Sequence, residues 1–415
     1  SKCVIVRRGG TRNAGILASF RLFLWVWDGG GLWMKIRLSA GEVSGDLHGE
    51  RLARAVLEQT PDTELIGFGG ARMERAGVKL FRNFADYNVM GVWEVIKNLR
   101  RILRLLDDLT AYMEEERPDL LVLIDYPDFN WRLAKRAKKL GIPVFSYIPP
   151  SAWAWRKGRA KKCAALADTF VAIFPHELPV YEAAGANISF LGNPLVDTVK
   201  AEIPEAEARA FFGIAPGDHA VLLMPGSRRQ EITMLLPAML EAAKLLAAKR
   251  PGTKFFPPVA AASYEPLIEQ LVAEHGAEVQ LTHENRYALM GLADVAAAAS
   301  GTVVMEAALM GLPCVSLYRL ALLNYMIGRM LVHVDHFTLP NILLGETIQP
   351  ELLQDEVEPH RIARELLRLY RGESAREKTC AKLIEACKRL GPPGAAGRVA
   401  AKILEAAHDK RHSGE

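Results

Sequence analysis

Two glycine-containing turns in the second half of the chain combine residue types suited to binding a nucleotide. In the stretch PGSRRQEI, Gly226 opens a turn before a helix predicted to begin near Gln230, and Arg228 adds a cationic fork for phosphate oxygens. In SGTVVMEAALMGLP, Glu306 lies about one turn into a second helix, where a carboxylate can accept hydrogen bonds from both ribose hydroxyls. A surface role for Arg228 after an ordinary turn remains open. The chain has neither a P-loop nor a strand-linked GxGxxG, which disfavours a kinase or a dehydrogenase.

Two carboxylates in the first half follow apolar segments and could act as acid–base groups. Asp125 comes directly after LLVLI, and the end of a buried strand opens into the crevice of an open α/β sheet. Burial would raise the pKa of such a carboxyl and suit it to general-base work, whereas Asp128 is better explained as a helix cap. Glu42 begins the turn after the first strand, in GEVSGD. In the same turn, Ser44 and Asp46 fit helix capping and ligand contact equally well.

Aromatic and basic residues alternate in a third region, at 153–162. Trp153 and Trp155 stand beside a dense cluster of arginines and lysines, which indicates an acidic or acylated ligand or a lipid interface. Burial of one tryptophan in the core is an equal alternative. The segment 92–106 has apolar residues at helical spacing beside basic ones, a pattern that fits either a core-facing helix or a membrane-surface helix.

The elements that must position these residues alternate between β-rich runs and amphipathic helical stretches, which is typical of parallel α/β sheets. The predicted strands are 35–40, 63–68, 120–124, 144–148, 169–173, 189–191, 221–224, 254–256, 279–281, 295–298 and 314–317. A charged, Pro- and Ala-rich link near 200–218 separates the two series. We therefore predict an α/β fold of two similar units with a cleft between them. The expected divisions are an unassigned extension (1–33), an acceptor-side domain (34–199), a nucleotide-binding domain (200–358) and a helical tail (359–415) that can cross back to the first domain.

Length and composition agree with a two-domain enzyme. The 415 residues are 50% apolar and 24% charged, and a single core rarely grows beyond roughly 250–300 residues. The net charge of +4 is spread along the chain, which argues weakly for an anionic partner and against nucleic acid. The five cysteines include no CxxC pair, so neither a disulfide framework nor a zinc site is indicated, and a reducing, cytoplasmic setting fits best.

The first 33 residues read differently from the rest of the chain. Their apolar run from 16 to 27 contains Arg21 and is shorter than the roughly 20 residues that a bilayer-spanning helix needs. We interpret this stretch as an upstream extension without chemistry of its own, in preference to a membrane anchor.

From about Lys35 to Ala407 the chain resembles the lipid-A-disaccharide synthases, inverting glycosyltransferases of the GT-B architecture with two Rossmann-like domains. The stretches that carry the resemblance are GEVSGD, MGVWEV, IDYPDFN, PSAWAWR, GNPLVD, PGSR, SGTVVMEA and LPNILL, in that order. So many ordered motifs over some 370 residues are specific. The resemblance implies transfer of a 2,3-diacylglucosamine unit from UDP-2,3-diacylglucosamine to the 6-hydroxyl of 2,3-diacylglucosamine 1-phosphate. The products would be a β-1,6-linked disaccharide 1-phosphate and UDP, with no metal and no cofactor.

Carried over position by position, the resemblance assigns three catalytic roles. Asp125 falls on the family's candidate base, Glu42 on its essential glutamate, and Arg228 on the arginine near the diphosphate. The expected substrate contacts are Gly226, Ser227, Gly301, Thr302, Glu306, Asn341, Ser44, Asp46, Asn130 and Trp155. The chain departs from the family pattern at Pro149 and Asn193, both in the acceptor half.

The acylated sugars imply work at the cytoplasmic face of the inner membrane, in contact with its lipids through 92–106 and 153–162. A homodimer is possible, and no nucleic-acid partner is expected. Two alternatives stay open at this point: another GT-B enzyme acting on UDP-N-acetylglucosamine, such as a 2-epimerase or a lipid II transferase, and a catalytically silent nucleotide or lipid carrier.

Overall fold

The computed structural model describes residues 34–87, 92–152, 158–320, 334–370 and 374–413, with the backbone alone at 92–99 and 410–413. Two parallel sheets organise these residues. The first has seven strands in the order β3-β2-β1-β4-β5-β6-β7, and the second has five in the order β12-β11-β10-β8-β9. The strands are β1 (Lys35–Ser39), β2 (Glu64–Gly69), β3 (Lys79–Asn83), β4 (Leu120–Ile124), β5 (Val144–Tyr147), β6 (Thr169–Ala172), β7 (Ile188–Phe190), β8 (Ala220–Met224), β9 (Lys254–Phe256), β10 (Val295–Ala299), β11 (Cys314–Tyr318) and β12 (Glu351–Leu353).

Helices connect the strands and cover both faces of each sheet, so the central strands are apolar throughout. All five residues of β4 and all five of β8 are buried, as expected for parallel strands packed on two sides. The helices are α1 (Val43–Gln59), α2 (Ala71–Arg75), α3 (Val92–Glu116), α4 (Pro127–Lys139), α5 (Gly158–Ala164), α6 (Leu178–Glu182), α7 (Leu195–Thr198), α8 (Glu205–Phe212), α9 (Arg229–Lys249), α10 (Glu265–His275), α11 (Arg286–Leu292), α12 (Thr302–Leu309), α13 (Leu339–Leu344), α14 (Pro359–Arg368), α15 (Ser374–Lys388) and α16 (Ala395–Ser413). The predicted α/β architecture with two Rossmann-like sheets is confirmed.

The last helix, α16, packs against the first sheet although it follows the second sheet in the chain. Val399, Ile403 and Ala407 are fully buried in the same core as β1 and β4. Each large aliphatic side chain buried in this way contributes about 1.5–3 kcal/mol. Gln59 Nε2 also donates a hydrogen bond to the Gly397 carbonyl oxygen at 2.8 Å. The unit built on the first sheet is therefore completed by residues that follow the whole unit built on the second sheet in the chain.

A small apolar cluster joins the two units at the base of the cleft. Phe174, two residues beyond β6, packs with Met305 and Ala308 of α12 and with Leu383 of α15. Because Phe174 and α12 both lie at the carboxyl ends of their sheets, this contact brings those two ends toward each other. Sites built on the ends of the strands can thus meet across the cleft.

Three local expectations about strands differ from the structure. The predicted strand at 279–281 is wrong: the structure has only an isolated bridge between Pro258 and Thr282 there. Pro257 and Pro258 lack the N–H donors that a longer ladder beside β9 would need. β3 and β12 were not predicted, since both are short edge strands with half-exposed residues.

Candidate functional site

The carboxyl end of β4 places Asp125 at the cleft in a strained backbone conformation. Asp125 and Tyr126 have φ of 48° and 50°, in the left-handed region that residues other than glycine rarely adopt. Such strain costs about 1–3 kcal/mol per residue and collects at functional sites. The Asp125 N–H donates to the Tyr147 carbonyl oxygen at 3.1 Å, which ties this turn to the neighbouring strand. The strained turn therefore costs free energy, and it fixes the position of the Asp125 carboxyl at the end of β4.

Asn130 holds the same turn from below. Its side-chain amide donates to the Asp125 carbonyl oxygen at 2.7 Å, and its Oδ1 accepts from the Ser39 hydroxyl at 2.7 Å. The side chain is 1% exposed. These hydrogen bonds give Asn130 a positioning role at the ends of β1 and β4, and its expected substrate contact stays a prediction.

Glu42 lies beside Asp125 and forms a carboxyl pair with it. The two side chains are in hydrogen-bond contact, and Glu42 is exposed at the N-terminus of α1. Gly41 lets the two strand ends close up, because a Cβ there would collide with the Tyr126 ring. Burial, reinforced by the negative charge of Glu42, raises the pKa of Asp125 to about 6. Asp125 is thus mostly ionised at neutral pH while remaining more basic than an ordinary carboxylate.

Asp46 and Ser44 share this loop but differ in their surroundings. Asp46 is 5% exposed, and its carboxylate accepts three backbone N–H groups, from Gly70 at 2.9 Å, Arg72 at 3.1 Å and Met73 at 3.1 Å. It therefore caps α2, and the expected ligand contact of Asp46 stays a prediction. Ser44 is exposed on the first turn of α1, where a ligand can reach it.

On the nucleotide side, Arg228 stands at the N-terminus of α9, directly after β8. Its side chain is 81% exposed, and Gly226 ahead of it has φ of 109°, a value suited to glycine. Ser227 and Arg228 offer backbone N–H groups at this end of the helix, whose dipole favours an anion. The three residues form one exposed, positively polarised corner.

Glu231 occupies that corner, and the sequence reasoning did not identify it. Its Oε2 accepts the Ser227 and Arg228 N–H groups at 3.0 and 3.2 Å, and its Oε1 accepts the Arg228 guanidinium at 2.9 Å. The sequence signal for this contact was the spacing of a capping box, with a glutamate three residues after the residue that caps the helix. The same donors that bind this carboxylate are suited to phosphate oxygens.

Glu306 lies inside α12, the helix that follows the neighbouring strand β10. Arg286 Nη2 is 3.2 Å from Glu306 Oε2, and Tyr287 is in hydrogen-bond contact with the carboxylate. The Arg286 contact is an ion pair without hydrogen-bond geometry, so Oε2 is buried with no hydrogen-bond donor among the described residues. Gly301 and Thr302 are exposed at the start of the same helix. Since β8 and β10 are paired, this helix end and the Arg228 corner lie side by side.

Asn341 and Trp155 are the two remaining residues that were predicted to contact a ligand. Asn341 has no exposed surface, and it bonds the backbone of Ile348 and Gln349 through its side-chain amide. The Asn341 side chain therefore stabilises this loop, and its expected ligand contact stays a prediction. Trp155 lies outside the described residues. Asn193, a departure from the family pattern, is fully buried, donates to the Ile173 carbonyl oxygen and accepts the Leu195 N–H.

Glu177 is a second carboxyl that sequence reasoning did not single out. It is 4% exposed after β6, and burial raises its pKa to about 7. It accepts the Phe174 N–H at 3.3 Å, and its charge interacts with that of Asp125.

In the described ranges, no group of three or more His, Cys, Asp or Glu side chains is arranged to hold a metal ion. None of the described helices is both long and apolar enough to cross a bilayer.

Solved structures similar to this chain share its fold at low sequence identity. A UDP-GlcNAc 2-epimerase from Neisseria meningitidis, bound to UDP-GlcNAc, aligns with a TM-score of 0.63 at 14% identity and covers 90% of this chain and 100% of its own. A glycosyltransferase from Rickettsia africae aligns with a TM-score of 0.56 at 11% identity, over 90% of this chain and 99% of its own. These likenesses support the two-sheet architecture alone.

Sequence relatives are much closer and agree with one another. The lipid-A-disaccharide synthetase family profile matches residues 36–394. The lipid-A-disaccharide synthase of Geobacter metallireducens is 42% identical over 377 residues, which are 91% of this chain and 98% of that protein. The Geobacter sulfurreducens synthase is 42% identical over 371 residues, or 89% and 97% of the two chains. The chain therefore belongs to the lipid-A-disaccharide synthase family and is a glycosyltransferase.

Proposed function

We propose that this enzyme transfers 2,3-diacylglucosamine from UDP-2,3-diacylglucosamine to the 6-hydroxyl of 2,3-diacylglucosamine 1-phosphate. The products are the β-1,6-linked disaccharide 1-phosphate and UDP. The observation that carries the proposal is the pairing of a half-buried, basic carboxyl, Asp125, on one sheet with an anion-binding corner at Arg228 on the other. Family membership indicates the substrate class. Asp125 and Arg228, on the two sheets, provide the general base and the stabilisation of the leaving group.

Asp125 acts as the general base in this proposal. It takes the proton of the acceptor hydroxyl as the oxygen attacks the anomeric carbon of the donor from the face opposite UDP. A single displacement of this kind inverts the configuration at that carbon. The strained turn and the Asn130 hydrogen bonds support this role because they hold the carboxylate oxygen in one position. Glu42 keeps the pKa of Asp125 raised and thereby keeps it basic.

Arg228 and the first N–H groups of α9 stabilise the leaving diphosphate. Negative charge grows on that group as the bond to the sugar breaks, and a preorganised cationic site can lower the barrier by about 3–4 kcal/mol. The Glu231 carboxylate accepts from the same donors, so Glu231 and the diphosphate compete for them. On the neighbouring helix, Glu306 accepts the ribose hydroxyls. In this route the charge is stabilised by the protein alone, without a metal.

The acyl chains of both substrates place the reaction at the cytoplasmic face of the inner membrane. The exposed side chains at the described start of α3 support contact with anionic lipid: Arg100, Arg101 and Arg104 are exposed, and Leu103 is 38% exposed beside them. Leu105 and Leu106 of the same helix face the core. A liposome flotation assay tests this part, and an absence of binding to anionic vesicles at low and high salt would remove it.

Mass spectrometry of the reaction products tests the proposed transfer. Purified protein is incubated with both acylated sugars, and the expected product is a disaccharide 1-phosphate together with UDP. Two parallel incubations separate the alternatives: turnover of acyl-free UDP-N-acetylglucosamine would indicate a different GT-B activity. UDP binding without product from any acceptor would indicate a silent carrier. Either result contradicts the proposal.

A further inference from the structure

Arg51 is a half-buried cation on α1, the helix that begins beside Glu42. Its charge interacts with Tyr147 and Asp197 of its own unit and with Tyr287 of the nucleotide-side unit. Because its charge interacts with residues of both units, Arg51 lies between them. Burial lowers the pKa of Arg51, so its charge has lost part of its hydration.

The acidic side chains around Arg51 are engaged with other groups. Glu50 forms ion pairs with Arg54 at 3.2 Å and with Arg72 at 3.6 Å. Asp197 accepts the Gly394 and Ala395 N–H groups at 2.8 and 3.3 Å, at the start of α16. Within the described ranges Arg51 forms no ion pair and no hydrogen bond. A partly desolvated guanidinium is therefore left to bind an anion from outside the chain.

His48 lies one turn before Arg51 on the same face of α1. Burial and the nearby Arg51 charge lower the pKa of His48 to about 4, so its ring is neutral at physiological pH. Its Nδ1 is buried with no hydrogen-bond partner in the described part of the protein, and its ring meets the edge of Tyr147 at 6.0 Å between centroids. The cation and an unpaired ring nitrogen thus stand together, a combination of groups that a bound phosphate would satisfy.

We propose that Arg51 binds the 1-phosphate of the acceptor sugar. The inference rests on the proposed function, which supplies an acceptor with one phosphate. The diphosphate of the donor already has Arg228 and two helix N-termini on the opposite unit, whereas Arg51 belongs to the unit that carries the base. Long side chains on a helix lean toward its N-terminus, so the Arg51 guanidinium is directed toward the end of α1 that begins beside Glu42. A guanidinium can bind a phosphate through two parallel hydrogen bonds.

Steady-state kinetics of Arg51→Gln test the assignment with two acceptors. One acceptor is 2,3-diacylglucosamine 1-phosphate, and the other is the same diacylglucosamine without phosphate. We expect the KM for the phosphorylated acceptor to rise about tenfold, the size of one lost charge-assisted hydrogen bond, with kcat nearly unchanged. The kinetics with the unphosphorylated acceptor and the inhibition by UDP should stay as in the wild type. Arg51→Lys should fall between the two, because it keeps the charge and loses the fork.

Arg54→Gln is the matched control, since Arg54 lies on the same helix but is exposed and paired with Glu50. It should leave both acceptors unaffected, and circular dichroism checks that each variant is folded. The assignment is overturned if Arg51→Gln weakens UDP inhibition, raises the KM of both acceptors equally, or changes neither. If the wild type itself makes no disaccharide, the proposed function fails, which is a different result from an unaffected Arg51→Gln variant.

Discussion

Replacing Asp125 with Asn should abolish transfer and at the same time stabilise the folded protein at neutral pH. Burial and Glu42 raise the pKa of Asp125 from 3.8 to about 6, so the ionised carboxylate is less favourable in the folded state than in the unfolded chain. Each pKa unit corresponds to 1.36 kcal/mol, which gives about 3 kcal/mol in full. Asp125 keeps some contact with solvent, and we therefore expect about 2 kcal/mol.

The sign and the pH window follow from linkage. A carboxyl whose pKa is raised by folding contributes no penalty below its unfolded pKa of 3.8. The penalty develops as pH rises between 3.8 and about 6, and it is complete above that range. The Asn variant removes it, so the stability gain should be near zero around pH 4 and largest at pH 7 to 8. Asn also tolerates left-handed backbone well, so the substitution does not add strain at φ of 48°.

Thermal melts at several pH values measure this effect alongside activity. We expect the melting temperature of Asp125→Asn to exceed that of the wild type by a few degrees at pH 8 and to converge with it near pH 4. Asp128→Asn is the matched control, because the Asp128 side chain is 98% exposed and should show no such trend. If Asp125→Asn is no more stable than the wild type at pH 8, the surroundings of Asp125 do not raise its pKa. The argument that Asp125 is a general base with a raised pKa would then fail.

Three other substitutions test the remaining parts of the site. Arg228→Ala should lower turnover by at least about a hundredfold and weaken inhibition by UDP, while its exposed neighbour Arg229→Ala should keep near-normal activity; equal effects would exclude a specific role for Arg228. Glu42→Gln removes a charge that raises the pKa of Asp125, so the acidic limb of the kcat/KM profile, expected near pH 6, should move to lower pH, and an unmoved limb would uncouple the pair. Asn130→Ala leaves the Ser39 hydroxyl and the Asp125 carbonyl without this partner, and it should cost about 1–3 kcal/mol of stability and lower kcat by about tenfold or more; normal kcat with lowered stability would limit Asn130 to the fold.

The sequence was sufficient to predict the two sheets because their central strands are continuous apolar runs bounded by turn residues such as Gly, Pro and Asp. β4 and β8 were predicted within a residue, while edge strands such as β3 escaped because their residues are only half-buried. The strand predicted at 279–281 failed for a non-local reason, since the prolines that prevent pairing belong to the neighbouring segment at 257–258.

The sequence was sufficient to predict which residues belong to the candidate site, but it was less informative about what their side chains contact. Polar residues in a motif look alike in sequence, whether they face a ligand or the protein. Asp46, Asn130 and Asn341 all stand in family motifs, yet each is buried and bonded to backbone groups of the fold. Glu231 is the reverse case: its capping spacing looks structural, while its position puts it on the donors of the diphosphate corner. The direction in which each side chain points decides between these roles, and residue type and spacing do not determine that direction.

The crossing of α16 onto the first sheet has a consequence for how the protein is made. The hydrogen bond between Gln59 and Gly397 joins positions 338 residues apart, and the apolar face of α1 stays uncovered until that partner has been synthesised. Nascent chains fold domain by domain from the N-terminus, at about 5–20 residues per second. The apolar surface of the first sheet that α16 covers is therefore exposed for roughly tens of seconds, while the residues of the second sheet are synthesised. A chaperone that shields apolar surface during this interval should associate with the growing chain through α1 and should leave once residues 395–413 emerge.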